Sequence, residues 1–222
     1  MVWWNLMELI SLRQDEFDAH VRDKTLRLAF VGMSNAGKSY RSRVLRNEED
    51  FLWYQVDEAI QKALGFEKMG EISSWLGMPT NDTYLEREVE YLQLENRFTK
   101  EAAMQTGGKN FVFDTTGSVV HLEPETIGVL KTNCLVVHFD VGENSLEVML
   151  EKFKREPKPV AWCGHFIIET GESEQEAFER SYSALLQKRL AMYRALAHIN
   201  IPVAEIRDTS GKETLEAIKL RL

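Results

Sequence analysis

Residues 32–39 read Gly-Met-Ser-Asn-Ala-Gly-Lys-Ser and satisfy G-x-x-x-x-G-K-[ST] at every fixed position. This Walker A pattern constrains the fold because it works only in one setting, between a strand and a helix. Both flanks are present. The apolar run 26–31 reads as a strand and residues 36–45 as a helix. Glycines let such a loop curl until successive backbone N–H groups converge on an anion, and the helix that follows adds the positive end of its dipole. Gly32, Ser34, Asn35, Ala36, Gly37, Lys38, Ser39 and Tyr40 are therefore the expected nucleotide contacts. Lys38 is suited to the β- and γ-phosphates of ATP, and the Ser39 hydroxyl to Mg²⁺.

Further strands are expected at 51–56, 110–113, 134–139 and 201–206, with helices at 57–64, 83–104, 145–154, 174–197 and 213–220. Residues 70–82, rich in Gly, Pro and Asn, read as a loop with a turn of helix near 72–76. Residues 156–171 read as a mobile loop. Short apolar strands alternating with helices predict an α/β fold: a three-layer P-loop NTPase sandwich with a five-stranded parallel sheet and helices on both faces. Apolar positions over 3–22 suggest an N-terminal helical extension, giving a division into 1–24 and a P-loop kinase domain at 25–222 with a lid at about 154–172. That extension packs on the domain or, with Trp3 and Trp4, serves a partner.

Net charge is −8, which disfavours nucleic acid and anionic membranes as partners. Cys134 and Cys163 make neither a disulfide framework nor a zinc site, no membrane span or signal peptide is evident, and a cytoplasmic protein is expected. The expected partners are a nucleotide and a small-molecule acceptor; the oligomeric state stays open.

The loop alone does not separate kinases from GTPases or motors. No N-K-x-D guanine signature and no apolar strand ending in Asp-Glu is present, and 222 residues suit a small-molecule kinase. Asp57 follows the second strand on the rim where α/β ligands bind, as an acceptor-binding residue and base or as a helix cap. Asp114 ends the third strand, where an acid can hold Mg²⁺ through water or open an Asx-turn into Thr115-Thr116-Gly117.

In order, the chain carries Gln55-Val56-Asp57, then Asp114-Thr115-Thr116-Gly117-Ser118-Val119, then Arg189-Leu190-Ala191-Met192-Tyr193. This order resembles the shikimate kinase family, which has D-x-D after its second strand, Gly-Gly-Gly-Ser-Val after its third and R-x-P-L-Y in a late helix. The similarity runs over about 26–222 and is most specific at the phosphate loop. It implies that Asp57 contacts or deprotonates the acceptor hydroxyl, that Gly117 and Arg189 bind the acceptor, Arg189 through a carboxylate, and that Arg155 is the lid arginine reaching the phosphates. Lys38, Asp57 and Arg155 are then the catalytic set; Ser39 in the phosphate loop and Asp114, where the family normally has no acid, are the metal candidates by their positions. Without the resemblance, Arg155 is equally a cation suited to a helix C-terminus and Arg189 a solvated charge. Trp162 and His165 in the loop stand between substrate contact and structure, and residues 209–212 are a weak candidate for framing adenine.

The departures are specific. Gln55 stands for the first Asp, Thr115 and Thr116 for two glycines, and Leu85 in Tyr84-Leu85-Glu86-Arg87-Glu88 for the arginine of F-R-x-x-E, unless Arg87 substitutes from another face. They leave three readings: an ATP-dependent kinase of shikimate or a related hydroxylated carboxylate, a kinase for a nucleoside, sugar acid or peptide, or a non-catalytic nucleotide-binding module.

Overall fold

Strand β1 (Arg27–Val31) is the middle of the sheet, and Leu28, Ala29, Phe30 and Val31 are all fully buried. Side chains alternate between the two faces of a strand, so both faces here are covered. The other strands are β2 (Leu52–Gln55), β3 (Phe111–Asp114), β4 (Leu135–Asp140) and β5 (Ile199–Pro202), in the order β2-β3-β1-β4-β5. Every pairing is parallel, with Phe30 beside Asp114 on one side and Val137 on the other. The edge strands β2 and β5 leave alternate or successive residues partly open, as their position requires. The computed structural model describes residues 12–105, 107–155 and 158–222.

The helices are α1 (Gln14–Arg22), α2 (Lys38–Glu48), α3 (Val56–Ala63), α4 (Met69–Leu76), α5 (Tyr84–Ala103), α6 (Pro124–Asn133), α7 (Leu146–Arg155), α8 (Glu174–Leu196), α9 (Val203–Ile206) and α10 (Gly211–Lys219). Helix α2 packs on β2, β3 and α10, while α6 and α8 pack on β4. From β1 the chain crosses to the edge strand β2 and returns to β3, then passes over to β4 and β5 on the other side of β1. The carboxyl ends of these strands therefore border the crevice where α/β proteins bind ligands.

Three segments differ from the sequence expectation. Residues 69–76 form α4 because Ile72 and Leu76, four apart, bury on one face. The Glu71 carboxylate accepts from the backbone N–H of Lys68 at 2.6 Å, and Gly77 at φ +71° ends the helix. Residues 201–206 do not continue as a strand: Pro202 holds φ at −58° and opens the single turn of α9. The stretch between β3 and β4 holds α6, which starts on Pro124.

Of the N-terminal segment, α1 buries Phe17, and Asp18 pairs with Lys219 of α10 at 2.7 Å. Residues 1–11, with Trp3 and Trp4, lie outside the described residues. Among the described residues no helix is long and apolar enough to cross a membrane.

Candidate active site

The phosphate loop leaves β1 through Gly32 at φ +139°, where a Cβ would stand 3.0 Å from the Phe139 carbonyl oxygen. Only glycine allows that approach. Asn35 and Gly37 also sit at positive φ, completing the curl before α2. The Lys38 ammonium folds back over the loop and donates to the carbonyls of Gly32 at 2.7 Å and Met33 at 3.0 Å. Burial lowers its pKa, and the carboxylates of Asp57 and Asp114 oppose that shift.

Ser39 and Asp114 meet. The Ser39 hydroxyl donates to one Asp114 oxygen at 2.6 Å, and the Trp53 indole N–H donates to the other at 2.5 Å. Asp114 is buried, and among the described residues no cation pairs with it. A buried carboxylate held by neutral donors beside a hydroxyl is an oxygen donor set that suits Mg²⁺. Among the described residues no cluster of three or more His, Cys, Asp or Glu forms a metal site, so any metal here depends on these two oxygens together with ligand oxygens.

A cleft of about 380 Å³ runs from the phosphate loop to α3. Asp57 lines it together with Lys38, Ser39, Gln55, Tyr91 and Gly117. Asp57 is the second residue of α3, and the helix cap position is Gln55, which makes no side-chain capping bond. Burial pushes the Asp57 carboxyl up to about 6; Lys38 opposes the shift and Asp114 reinforces it. The Gln55 amide is tied to Glu58. Tyr40 is half exposed at the cleft rim.

Helix α5 supports this cleft from below through one buried stripe, Tyr84, Glu88, Tyr91 and Glu95. Glu95 is fully buried and accepts from the hydroxyls of Thr116 and of Ser118, the latter at 2.5 Å. Burial raises its carboxyl to about 7 against the pull of those two bonds. Thr115 donates to the Phe30 carbonyl at 3.0 Å. The side chains that replace glycines thus point into the protein, and Gly117 alone faces the loop. A Cβ on Gly117 would stand 3.2 Å from the Ser34 hydroxyl, a close approach of this turn to the phosphate loop.

The upper half of the stripe holds residues 160–163. The Tyr84 hydroxyl accepts from the Trp162 N–H at 2.8 Å, and Glu88 accepts from the Cys163 N–H at 2.8 Å. Trp162 is fully buried, edge-on to Phe166, Phe178 and Tyr182. The segment expected to be a mobile loop is anchored here, because its Trp ring is a core side chain.

Arg155 lies at the exposed end of α7 and is not among the described residues that line the cleft between the phosphate loop and α3. Lys152, one turn earlier, and Lys158 line that cleft instead. Glu156 and Pro157, which follow Arg155, lie outside the described residues. Arg189 is buried rather than solvated. It donates to the Ala161 carbonyl at 2.6 Å and to the His121 ring at 3.2 Å, behind residues 158–162 and near Gly117. Burial, with Arg189 alongside, takes His121 down to about 4, so it stays neutral and accepts that bond. Leu85 is 72% exposed, and Arg87 donates to the Trp75 carbonyl at 2.5 Å, so neither reaches the cleft. Residues 206–209 are held from beneath by the buried Arg41, which donates to the carbonyls of Ile206, Arg207 and Thr209.

Sequence reasoning passed over Lys158, Tyr91, Met69 and Glu95. Lys152 was visible in the basic run before the loop, but only the rotation of α7 shows which member faces inward. Tyr91 and Glu95, four apart on a long helix, are indistinguishable in sequence from any half-buried pair.

No protein-family model matches the chain. Shikimate kinase of Dehalococcoides mccartyi is 24% identical over 175 residues, 78% of this chain and 82% of that protein. The structure of shikimate kinase from Acinetobacter baumannii in complex with shikimate matches with a TM-score of 0.59 at 20% identity, over 91% of this chain and 94% of that one. Shikimate kinase from Bacteroides thetaiotaomicron matches with a TM-score of 0.59 at 16% identity, over 88% and 97%. The chain has the fold of the shikimate kinase-like P-loop kinases.

Proposed function

We propose that this chain, with its shikimate kinase-like fold, is an ATP-dependent kinase that transfers a phosphoryl group to a hydroxyl of a small molecule. The observation that carries the reading is one cleft of about 380 Å³ with a complete phosphate loop at one end and the Asp57 carboxylate at the other. The comparisons support kinase chemistry at the level of fold and of 24% identity.

Phosphoryl transfer asks little covalent help of a protein. It needs charge neutralisation and an acceptor held in line. The loop N–H groups of residues 32–39 cradle the phosphates. Lys38 exchanges its bonds to the Gly32 and Met33 carbonyls for phosphate oxygens. Ser39 and Asp114 would hold Mg²⁺, which would supply positive charge to offset the negative charge developing on the leaving group. Asp57 orients the acceptor hydroxyl and takes its proton as the oxygen bonds to the γ-phosphorus. The bond to the β–γ bridging oxygen breaks, and ADP leaves. Lys152 and Lys158 face the transferred group from the far wall, the role that the resemblance gives to Arg155. Residues 158–166 cover the site as its lid.

Shikimate or a related hydroxylated carboxylate is the acceptor the resemblance points to, with Gly117 and Arg189 as its contacts. The hydroxyl half of that expectation has its partner in Asp57. The carboxylate half lacks the arginine at Leu85.

The test is ADP release with a panel of hydroxylated acceptors, shikimate included. Lys38→Ala should lose at least about 100-fold in kcat/KM. Wild-type turnover in that variant with a true acceptor would sink the reading.

A further inference from the structure

The walls of the acceptor end point to a particular class of acceptor. The cleft at Asp57 offers no guanidinium. Leu85 is 72% exposed and Arg87 is engaged by Trp75, while Arg189, held by Ala161 and His121, stands behind Gly117, where a Cβ would lie 3.9 Å from its Nη1. At most one guanidinium, set behind the cleft wall, can therefore serve a carboxylate at this end.

A second cleft of about 720 Å³ adjoins the first. Helix α4 lines both. Met69 borders the cleft at Asp57, and Ser73 and Gly77, one and two turns further on, border the second. Lys158 lines the opposite wall of both clefts. The two clefts lie along the same helix and share Lys158.

The second cleft is apolar where it is deep. Phe153, Phe178 and Trp162 supply ring surfaces, with Phe153 and Phe178 stacked at 5.7 Å and Trp162 edge-on to Phe178 at 5.6 Å. Met78 and Val160 complete it. Two of its three charged lining residues, Lys154 and Glu174, are already paired, and Lys158 is the third. Lys154 is bound to Glu151 and Glu179 at 2.9 and 3.0 Å, and Glu174 accepts from Thr80 at 2.7 Å. A volume of this size, lined by rings and a thioether, accepts an apolar body rather than an anion.

We propose that the acceptor is a hydroxylated molecule bearing an aromatic-ring-sized apolar appendage, its hydroxyl at Asp57 and its appendage lying along α4 against Phe153, Trp162 and Phe178. The inference rests on the kinase reading of the same cleft and replaces the compact hydroxy acid as its substrate.

The test uses the full chain saturated with a non-hydrolysable ATP analogue. Calorimetry compares phenyl β-D-glucoside, methyl β-D-glucoside and shikimate as probes. The phenyl glycoside should bind at least about 10-fold more tightly than the methyl glycoside, the change expected from burying one ring. Gln175→Trp, which fills the outer mouth from an exposed position on α8, should erase that difference and leave nucleotide affinity unchanged. Met78→Glu should act in the same direction by charging the floor. Equal affinity for the two glycosides, binding of neither, a preference unaltered in both variants, or shikimate binding more tightly than the phenyl glycoside would each overturn the inference. Failure of the nucleotide to bind would instead remove the kinase reading beneath it.

Discussion

The Ser39 hydroxyl donates to Asp114 at 2.6 Å, joining the first turn of α2 to the last residue of β3. The bond explains why an acid at the end of this strand belongs to the phosphate site. Asp114→Ala should raise the Mg²⁺ concentration needed for half-maximal turnover at least about 10-fold. It should also cost about 1–3 kcal/mol, because the Trp53 N–H loses its acceptor. An unchanged Mg²⁺ requirement, with stability lost, would reduce Asp114 to a turn residue.

Asp57→Asn should lose at least about 100-fold in transfer and keep nucleotide affinity. Its stability should depend on pH in a defined direction. The folded-state pKa of about 6 lies above the usual 3.8, so the folded protein holds this proton more tightly than the unfolded chain. Stability from this group is full at low pH and falls as pH rises from about 4 to about 6. The Asn variant should therefore match the wild type near pH 4 and exceed it above pH 6, by about 1–3 kcal/mol. Thermal unfolding across that range checks it, and a gain that shrinks with rising pH would contradict the assignment. The wild-type kcat/KM should rise through pH 6 as Asp57 ionises.

Glu95 holds the Thr116–Ser118 turn. Glu95→Ala leaves the buried Thr116 and Ser118 hydroxyls, 3.2 Å apart, with each other in place of a charged acceptor and should cost about 1–3 kcal/mol. In the surviving folded protein the acceptor KM should rise while nucleotide affinity holds, since Gly117 loses its support and the phosphate loop does not. Glu95→Gln, which keeps shape and part of the hydrogen bonding, should recover most of the KM. Equal KM values in all three proteins would make Glu95 a packing residue only.

Trp162→Ala should cost about 3–5 kcal/mol and free residues 158–166. Limited proteolysis should then cut this segment faster than in the wild type, and turnover should fall because Lys158 is no longer held over the cleft. Unaltered protection would mean that the hydrogen bonds of Tyr84, Glu88 and Arg189 secure the segment without the ring.

Much of the phosphate side was legible before any fold. Gly32, Gly37, Lys38 and Ser39 are contiguous, and their chemistry is that of the local backbone: positive φ, converging N–H groups and a helix start. Asp57 was legible because it follows a strand directly, and Asp114 because it ends one. The Gly-rich, apolar residues of α4 looked like a loop because burial of Ile72 and Leu76 needs α5 as a partner, which a single segment cannot announce. Residues 156–171 looked mobile for a related reason: their composition carries no sign that Trp162 fills the core.

What the sequence determined by itself is the parallel α/β frame and the phosphate loop within it, because strand period, helix period and turn chemistry act over a few residues. Only the tertiary structure decided which cations face the phosphates and what the acceptor end can hold. Lys158 rather than Arg155 lines the cleft, Arg189 turns inward to Ala161, and Leu85 points to solvent. The outcomes for Arg155, Arg189 and Leu85 depend on the rotation of a helix against distant partners, and that of Lys158 on how residues 158–163 are anchored to α5 and α8.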